Sequence, residues 1–251
     1  MRECLCNGLS ALIAADPGRK GRYYSAFFEM SIGAERLMKL VFILDHMARN
    51  ELRAPSRQTL KSLGHDLVAI YSALQTLGGG VPALLAGTIE EQLLTFLSDF
   101  AKATRYYNFD ALAAGQANLD PLDAYNRLFL RIISEDVEPR KLARISNQAA
   151  ALAALTESHT LVVGYGLDGQ LISNKDAFML GPLHAVGAPH VVWRLYQLLQ
   201  PVRRALAVAT DDAGATNRRL LGARAAVPFM AEWLDFLGYE RAYVLKKRRW
   251  P

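Results

Sequence analysis

Apolar side chains between Arg22 and Asn50 recur at alternating spacings of three and four, which is the repeat of one face of an α-helix. Most charged residues of this stretch, such as Glu29 and Lys39, lie off that face. We therefore expect a long helix that packs on one side and ends before Pro55. Its apolar face comprises Tyr23, Phe27, Met30, Ala34, Leu37, Val41 and Leu44.

Three further helices follow from the same kind of pattern. A second alternation of three and four predicts one continuous helix from Gln58 to a stop at Gly78. Thr88 followed three residues later by Glu91 is typical of a capping box, and Asp120–Pro121 combines a cap residue with proline at the first helical position. Four amphipathic helices predict a bundle. The apolar faces of these three helices comprise Leu60, Leu63, Leu67, Ile70, Leu74 and Leu77, then Ile89, Leu93, Phe96, Phe100 and Tyr107, then Leu122, Tyr125, Leu128, Phe129 and Ile132.

The pattern changes after Glu138–Pro139. An alanine-rich helix is expected there, ending near Ser158. Beyond it, Gly166–Gly169 contains an Asp-Gly pair between two short apolar runs, which predicts a β-hairpin near residues 160–172. The inward side of the alanine-rich helix is expected to carry Leu142, Ile145, Ala149, Leu152 and Leu155.

Helical periodicity returns between Val191 and Val202, where Pro201 is expected to kink or interrupt it, and a last helix is expected over Phe229–Leu237. The sequence therefore predicts a mostly α-helical protein. We divide it into a mobile N-terminal arm (1–21), a helical bundle (22–135) and a second helical region (136–251), which contains the hairpin and a basic tail.

The composition is that of a globular protein. Hydrophobic residues make up 51% of the chain and charged residues 21%, which excludes disordered and low-complexity classes. Cys4 and Cys6 are too few and too close together to form a disulfide scaffold. The opening residues lack the features of a signal peptide, and the uncharged stretch Leu67–Glu90 is broken by Gly78–Gly80 and Pro82. We expect a cytoplasmic protein that does not enter a membrane.

The net charge of +5 is concentrated in one place. The run Lys246–Arg249 supplies four positive charges, and the other 25 basic residues exceed the 24 acidic ones by one. A nucleic-acid-binding surface usually spreads its cations along a face. A solvated tail is the favoured interpretation of this run, with phosphate contact as the alternative.

Several common chemistries are excluded by context. Gly164–Gly169 matches the dinucleotide fingerprint, but long helices precede it and Asp168 would face the phosphate, so the hairpin is favoured. None of the five histidines has the carboxylate spacing of a bundle metal site, and no Gly-x-Ser-x-Gly elbow is present. We therefore expect no metal and no cofactor.

Two groups of residues remain as candidates for a ligand site. His65 departs from the aliphatic face of its helix and shares the polar face with Lys61, which leaves the imidazole open to solvent, a partner or a ligand. A surface histidine with a local hydrogen bond is the simpler interpretation. Arg105, Tyr106 and Tyr107 close the third helix with a guanidinium beside two aromatic rings, a set that can hold a phosphate and stack on a base, or can simply pack a helix end.

These same residues carry a family resemblance. Residues 22–112 resemble the HEPN domains, small helical bundles named for nucleotide binding in higher eukaryotes and prokaryotes. The resemblance rests on Phe28–Leu40 in the first helix, on the string Leu63-Gly64-His65-Asp66-Leu67, and on Thr104–Tyr107 at the end of the third helix.

The resemblance implies a HEPN-like four-helix bundle that forms homodimers and binds RNA or a nucleotide in a prokaryotic defence or stress system. Active ribonucleases of the family carry an Arg a short distance before the acid–base His, whereas Arg57 stands eight positions before His65. We therefore expect a non-catalytic member with no catalytic residues. The ligand-binding candidates are His65, Asp66, Lys61, Arg105, Tyr106 and Tyr107.

Two alternatives remain open. The first is a metal-independent endoribonuclease in which His65 is the acid–base group and Arg105 or Lys61 steadies the phosphate. The second is a helical scaffold that dimerises through its first helix and its alanine-rich helix. A protein partner that contacts the C-terminal region is also possible under either alternative.

Overall fold

The computed structural model describes residues 1–103, 120–159, 161–222, 224, 227 and 230–250. Within these residues the chain is mostly α-helical, as the sequence predicts, and the only β-pairing is one isolated bridge. The helices are α1 (Arg2–Ala14), α2 (Gly21–Arg49), α3 (Arg57–Ser62), α4 (Leu67–Leu74), α5 (Ile89–Lys102), α6 (Pro121–Asp136), α7 (Pro139–Thr156), α8 (Asn174–Leu221), a 3-10 helix (Ala231–Gly238) and α9 (Arg241–Val244).

Helix α2 lies at the centre of the fold and confirms the first periodic pattern. Every residue of its predicted apolar face is buried, from Tyr23 to Leu44. The helix contacts α1, α4, α5 and α8, so the stripe is covered by several partners. Burial of such a continuous stripe is the main stabilising contribution of an amphipathic helix.

The expected mobile N-terminus is instead helix α1, which packs along α2. Its residues Leu5, Leu9 and Leu12 are buried and follow a four-three spacing. A Cβ added at Gly33 of α2 would lie 2.7 Å from the Leu5 side chain, and one added at Gly8 of α1 would lie 2.7 Å from Met30. The two helices are therefore in close contact, and α1 belongs to the core.

The continuous helix predicted over Gln58–Gly78 is wrong. The chain forms α3 and α4, separated by a turn at Gly64, which has a φ of 58°. Glycine adopts this left-handed conformation readily. Asp66 then caps α4 by accepting a hydrogen bond from the Ala69 N–H. Local turn and capping interactions thus override the aliphatic periodicity.

The predicted starts of the next two helices are confirmed. Thr88 accepts a hydrogen bond from the Glu91 N–H at the start of α5, while the Glu91 carboxylate accepts one from Gly87. Asp120 accepts a hydrogen bond from the Leu122 N–H at the start of α6. Their apolar faces are buried as expected over the described residues, and Tyr107 lies outside those residues.

The alanine-rich helix is present as α7, but its predicted inward face is only partly correct. Ile145 and Ala149 are buried, whereas Leu152 is 46% exposed and Leu155 is 76% exposed. Helix α7 packs against α8, and Asn174 of α8 bonds to Ala153 and Thr156 near the end of α7. The second half presents apolar side chains to solvent, because nothing in the described part of the chain covers them.

The predicted hairpin is reduced to a tight turn with a single antiparallel bridge between Tyr165 and Leu171. Gly169 has a φ of 73°, as an Asp-Gly turn requires. No helix begins directly after Gly169. Helix α8 starts only at Asn174, capped reciprocally by Ser173 and Asp176, so the loop also lacks the helix start that a dinucleotide fingerprint needs.

Helix α8 is continuous over 48 residues and passes through Pro182, Pro189 and Pro201. The expected interruption at Pro201 is therefore absent. Proline removes one backbone hydrogen bond and crowds the preceding turn. Here the helix contacts α1, α2, α5, α6 and α7 along its length, and this packing outweighs the local cost.

The last predicted helix is a 3-10 helix, Ala231–Gly238, and Phe229 lies outside the described residues. Beyond it, Trp250 is only 7% exposed and lies against α1 and α8.

One hydrophobic core includes residues from all of the predicted regions. The division of the chain at residue 135 stays a prediction. Among the described helices, none has an apolar stretch long enough to cross a bilayer.

Candidate functional site

His65 lies in the turn between α3 and α4, and its side chain is 62% exposed. Its Nδ1 is 3.0 Å from Oε2 of Glu35, a residue of α2 whose side chain is only 15% exposed. No described residue bonds the other ring nitrogen, Nε2. The imidazole is thus held at one nitrogen by a half-buried carboxylate and open at the other.

Lys39 connects Glu35 to the same turn. Its Nζ donates hydrogen bonds to Oε1 of Glu35 at 2.7 Å and to the Gly64 carbonyl at 2.6 Å. Burial opposes the charged form of Glu35, but the hydrogen bonds from Lys39 and His65 outweigh it, so the pKa of this carboxyl lies below its ordinary value. Glu35 is therefore ionised at neutral pH and orients the imidazole.

Asp66, next along the chain, bonds to three groups of the fold although its side chain is 39% exposed. Its carboxylate accepts hydrogen bonds from Lys102 Nζ at 2.9 Å, Ser98 Oγ at 3.0 Å and the Ala69 N–H at 3.1 Å. The bond from Lys102 is the largest cause that lowers the pKa of Asp66 to about 2. Asp66 thereby ties the start of α4 to α5 and has little capacity left for a ligand.

Among the other predicted site residues, Lys61 is exposed on α3. It lies three residues before Gly64, whose carbonyl accepts the hydrogen bond from Lys39. Arg105, Tyr106 and Tyr107 lie outside the described residues. The structure therefore brings together His65 and Glu35 with Lys39. Sequence reasoning missed Glu35 and Lys39, because Glu35 meets His65 and Lys39 meets Gly64 only when α2 packs against a turn that is 25 to 30 residues away in the chain.

An imidazole oriented by a carboxylate can accept or donate a proton at its free nitrogen. When Nδ1 carries the hydrogen that is donated to Glu35, Nε2 is an acceptor, and protonation converts Nε2 into a donor to an anion. Lys61 adds a positive charge on α3, four residues before His65, but the break at Gly64 removes the helix face that the sequence predicted these two side chains to share. The arrangement can therefore bind a phosphate or transfer a proton.

A second histidine site lies in the core and was not predicted. His184 of α8 is 2% exposed, its Nδ1 is 2.6 Å from the Tyr23 hydroxyl, and its ring stacks on Phe129 at 4.0 Å between centroids. Burial lowers the pKa of His184 to about 4. The ring is therefore neutral at physiological pH and has a structural role.

Arg194 of α8 forms the largest ion-pair cluster among the described residues. It donates two hydrogen bonds to Asp136, at 2.7 and 2.8 Å, and one to Glu90 at 3.0 Å. Burial disfavours the charged guanidinium, but these two carboxylates outweigh it and raise the pKa of Arg194. The cluster joins α5, α6 and α8, and each of the three guanidinium nitrogens of Arg194 has a carboxylate partner.

Within the described residues, no group of three or more His, Cys, Asp or Glu side chains could hold a metal ion. Comparisons with protein-family models, with curated proteins and with solved structures give no match for this chain. The functional proposal therefore rests on the geometry around His65 and on the resemblance of residues 22–112 to HEPN domains.

Proposed function

We propose that this protein is a non-catalytic HEPN-like protein that binds RNA or a nucleotide, as a cytoplasmic homodimer, through the surface around His65. The observation that carries the proposal is the exposed imidazole held by Glu35 with its Nε2 open. A preoriented donor binds an anion at a smaller entropic cost than a freely rotating side chain. Lys61 and the turn held by Lys39 complete the binding surface.

Phosphate is the ligand chemistry that these side chains favour. Protonated His65 and Lys61 both donate hydrogen bonds and carry positive charge, while Asp66 is neutralised by its bond to Lys102. Arg105 and Tyr106 remain proposed contributors to the same surface on the basis of the resemblance. A phosphate next to a base or ribose is common to RNA and to nucleotides.

Endoribonuclease activity is the second candidate, and the Glu35–His65 contact specifically favours it. A carboxylate that fixes the tautomer of an imidazole is the arrangement used by histidine general bases. In that reaction His65 would take the proton of the RNA 2′-OH, the oxygen would attack the adjacent phosphorus, and the bond from phosphorus to the 5′-oxygen would break as that oxygen takes a proton from water. Lys61 would then stabilise the charge that develops on the phosphate.

A dimerisation scaffold is supported by a separate observation. Leu152 and Leu155 of α7 are exposed next to a run of alanines without charge. Such a surface is typical of a protein interface. This role would be compatible with RNA binding and is distinguished from it by the experiment below.

The test compares the wild type with His65→Ala and Lys61→Ala for binding to a labelled single-stranded RNA in chelator at low and moderate salt. Matched controls are His159→Ala and Lys175→Ala, which remove the same side chains from other exposed positions. We expect each site variant to weaken binding by about tenfold, the loss of one charged hydrogen bond, and the controls to stay within about twofold.

The bound RNA is then recovered and analysed on a gel. Intact RNA supports the non-catalytic binding role. Fragments that form with the wild type but with neither His65→Ala nor Glu35→Gln support the ribonuclease. If the site and control variants bind equally, the His65 surface is not the ligand site. If the wild type ignores RNA and nucleotides and elutes as a dimer, the scaffold role replaces the proposal.

A further inference from the structure

The cations near residue 250 do not form a loose solvated tail. Trp250, which follows them, is buried, its backbone N–H donates to Ser10 Oγ of α1 at 3.0 Å, and its indole Nε1–H donates to the Tyr196 hydroxyl of α8. Val244, which precedes them, is fully buried. The cationic segment, defined here as Arg241–Arg249, contains the first of these anchors and ends next to the second, so it is fixed against the body of the protein.

The positive charges of the cationic segment are not neutralised by carboxylates. Arg241, Lys246, Arg248 and Arg249 are exposed, and none of them has a salt bridge to a described residue. Lys247 makes its contacts to neutral groups, the hydroxyl of Tyr243 at 3.1 Å and the rings of Tyr239 and Tyr243. Glu240 is the one acidic residue between Tyr239 and Trp250.

Helix α7 carries further exposed cations. Arg140, Lys141 and Arg144 are exposed in its first half, and none of them has a salt bridge to a described residue. Burial lowers the pKa of His190 in α8, Asp136 raises it, and Arg241, Lys141 and Arg194 lower it further, so acidic and basic groups both act on this imidazole.

Aromatic rings are interleaved with these cations. The Tyr243 side chain is 51% exposed and meets Tyr239 edge to face at 4.7 Å between centroids. An exposed ring beside Lys and Arg can stack on a base while the cations contact phosphates. The alternation of fixed charge and aromatic surface is the arrangement that single-stranded nucleic acid requires.

We propose that the cationic segment is a preformed binding surface for single-stranded nucleic acid, in which Arg241, Lys246, Arg248 and Arg249 contact the phosphodiester backbone and Tyr243 stacks on a base. A membrane surface is less favoured, because basic segments bind bilayers best with an apolar anchor, and the adjacent Trp250 is already buried in the protein core. This surface uses none of the residues proposed around His65.

The test uses the full chain and the triple variant Lys246→Gln/Arg248→Gln/Arg249→Gln. Lys247 and Trp250 are left intact because both have contacts that support the fold. The matched control, Arg53→Gln/Lys175→Gln/Arg219→Gln, removes the same charge from three other exposed positions. Binding of fluorescein-labelled poly(U) of about 20 nucleotides is titrated between about 50 and 200 mM salt.

We expect the triple variant to lose at least about tenfold in affinity, and the slope of log K against log salt to become shallower by about 2, since each lost phosphate contact on a single strand contributes about 0.7. The control should keep its affinity within about twofold. Tyr243→Leu should weaken binding further without changing the salt slope, because it removes stacking and no charge.

Equal losses in the triple variant and the control would mean that net charge alone drives binding, and they would overturn the proposal. The proposal would also be overturned if vesicles rich in phosphatidylserine bound the wild type and poly(U) did not. Failure of the His65 proposal is distinguishable, since His65→Ala would then bind poly(U) like the wild type while the triple variant still loses affinity.

Discussion

At the scale of single residues, two histidines of the same chain have opposite roles. His65 is exposed and oriented by a charged carboxylate, whereas His184 is buried between Tyr23 and Phe129. The difference is set by solvation, because burial disfavours the imidazolium form of His184 and lowers its pKa. Only the exposed ring can exchange a proton with a ligand, and the buried ring makes the fold sensitive to acid.

His184 should make stability fall with acidification over a defined range. The pKa of His184 in the folded protein is about 4, below the ordinary value of 6.5. Between these two values the imidazole is protonated in the unfolded chain and neutral in the folded chain. The free energy of unfolding should be level above pH 6.5 and fall by up to about 3 kcal/mol as the pH decreases to 4.

Urea unfolding at a series of pH values measures this dependence. The variant His184→Gln should be less stable at pH 7, because the Tyr23 contact is disturbed, yet show a shallower decline between pH 6.5 and 4. His159→Gln, an exposed substitution, should follow the wild type. An unchanged decline in His184→Gln would mean that other groups cause the acid sensitivity.

At the scale of helices, the distance between two packed helices decides whether a glycine can be replaced by a larger residue. Gly33 of α2 faces Leu5 of α1 with no room for a methyl group, whereas a Cβ at Gly181 in α8 would meet nothing within 4 Å. Gly33→Ala should therefore destabilise the protein by about 1–3 kcal/mol through overpacking. Gly181→Ala should stabilise it by about 0.5–1 kcal/mol, because alanine restricts the unfolded chain.

Denaturant titrations of the two variants at one pH compare these free energies directly. The substitution is the same in both cases, so the sign of the change reports on the neighbouring space alone. A Gly33→Ala variant as stable as the wild type would show that α1 can move away from α2 without cost.

Helix patterns in the sequence predicted some elements and not others, for a physical reason. The stripes of α2, α5 and α6 are long and uninterrupted, and Thr88 and Asp120 mark the starts of two of them by side-chain bonds within one turn. The break at Gly64 and the continuity of α8 through Pro201 depend on balances between local conformation and distant packing. The hydrophobic periodicity of the sequence carries no information on distant packing.

In the candidate site, too, the sequence indicates some features, while others depend on contacts that form only on folding. His65 is exposed in the structure, but the continuous aliphatic helix face from which its exposure was expected is broken at Gly64. Its partners Glu35 and Lys39 belong to a helix that meets the turn only after folding. The fixed position of the cationic segment was missed for a similar reason, because the decisive contacts of Trp250 are with Ser10 and Tyr196.

At the scale of the whole molecule, long-range contacts join the predicted bundle to the second helical region. Helix α8 packs on α1, α2, α5 and α6, and Arg194 reaches carboxylates of both α5 and α6. We therefore expect residues 22–135 and 136–251 to unfold together in one transition, since neither region completes its core alone.

The positions of the tryptophans make this expectation testable. Trp193, Trp233 and Trp250 all lie in the second region, so their fluorescence follows that region, whereas far-ultraviolet circular dichroism follows every helix. The two signals should give coincident denaturant curves. Separate midpoints would instead support two independently folding units divided near residue 135.

The three prolines of α8 have one more consequence. Each lacks the N–H that would bond the carbonyl four residues earlier, so Phe178, Ala185 and Gln197 have carbonyls without that partner. The same 48 residues, taken out of the protein, would bend or separate at these places. The continuity of α8 is therefore a property that its packing partners confer, and it should be lost when those helices unfold.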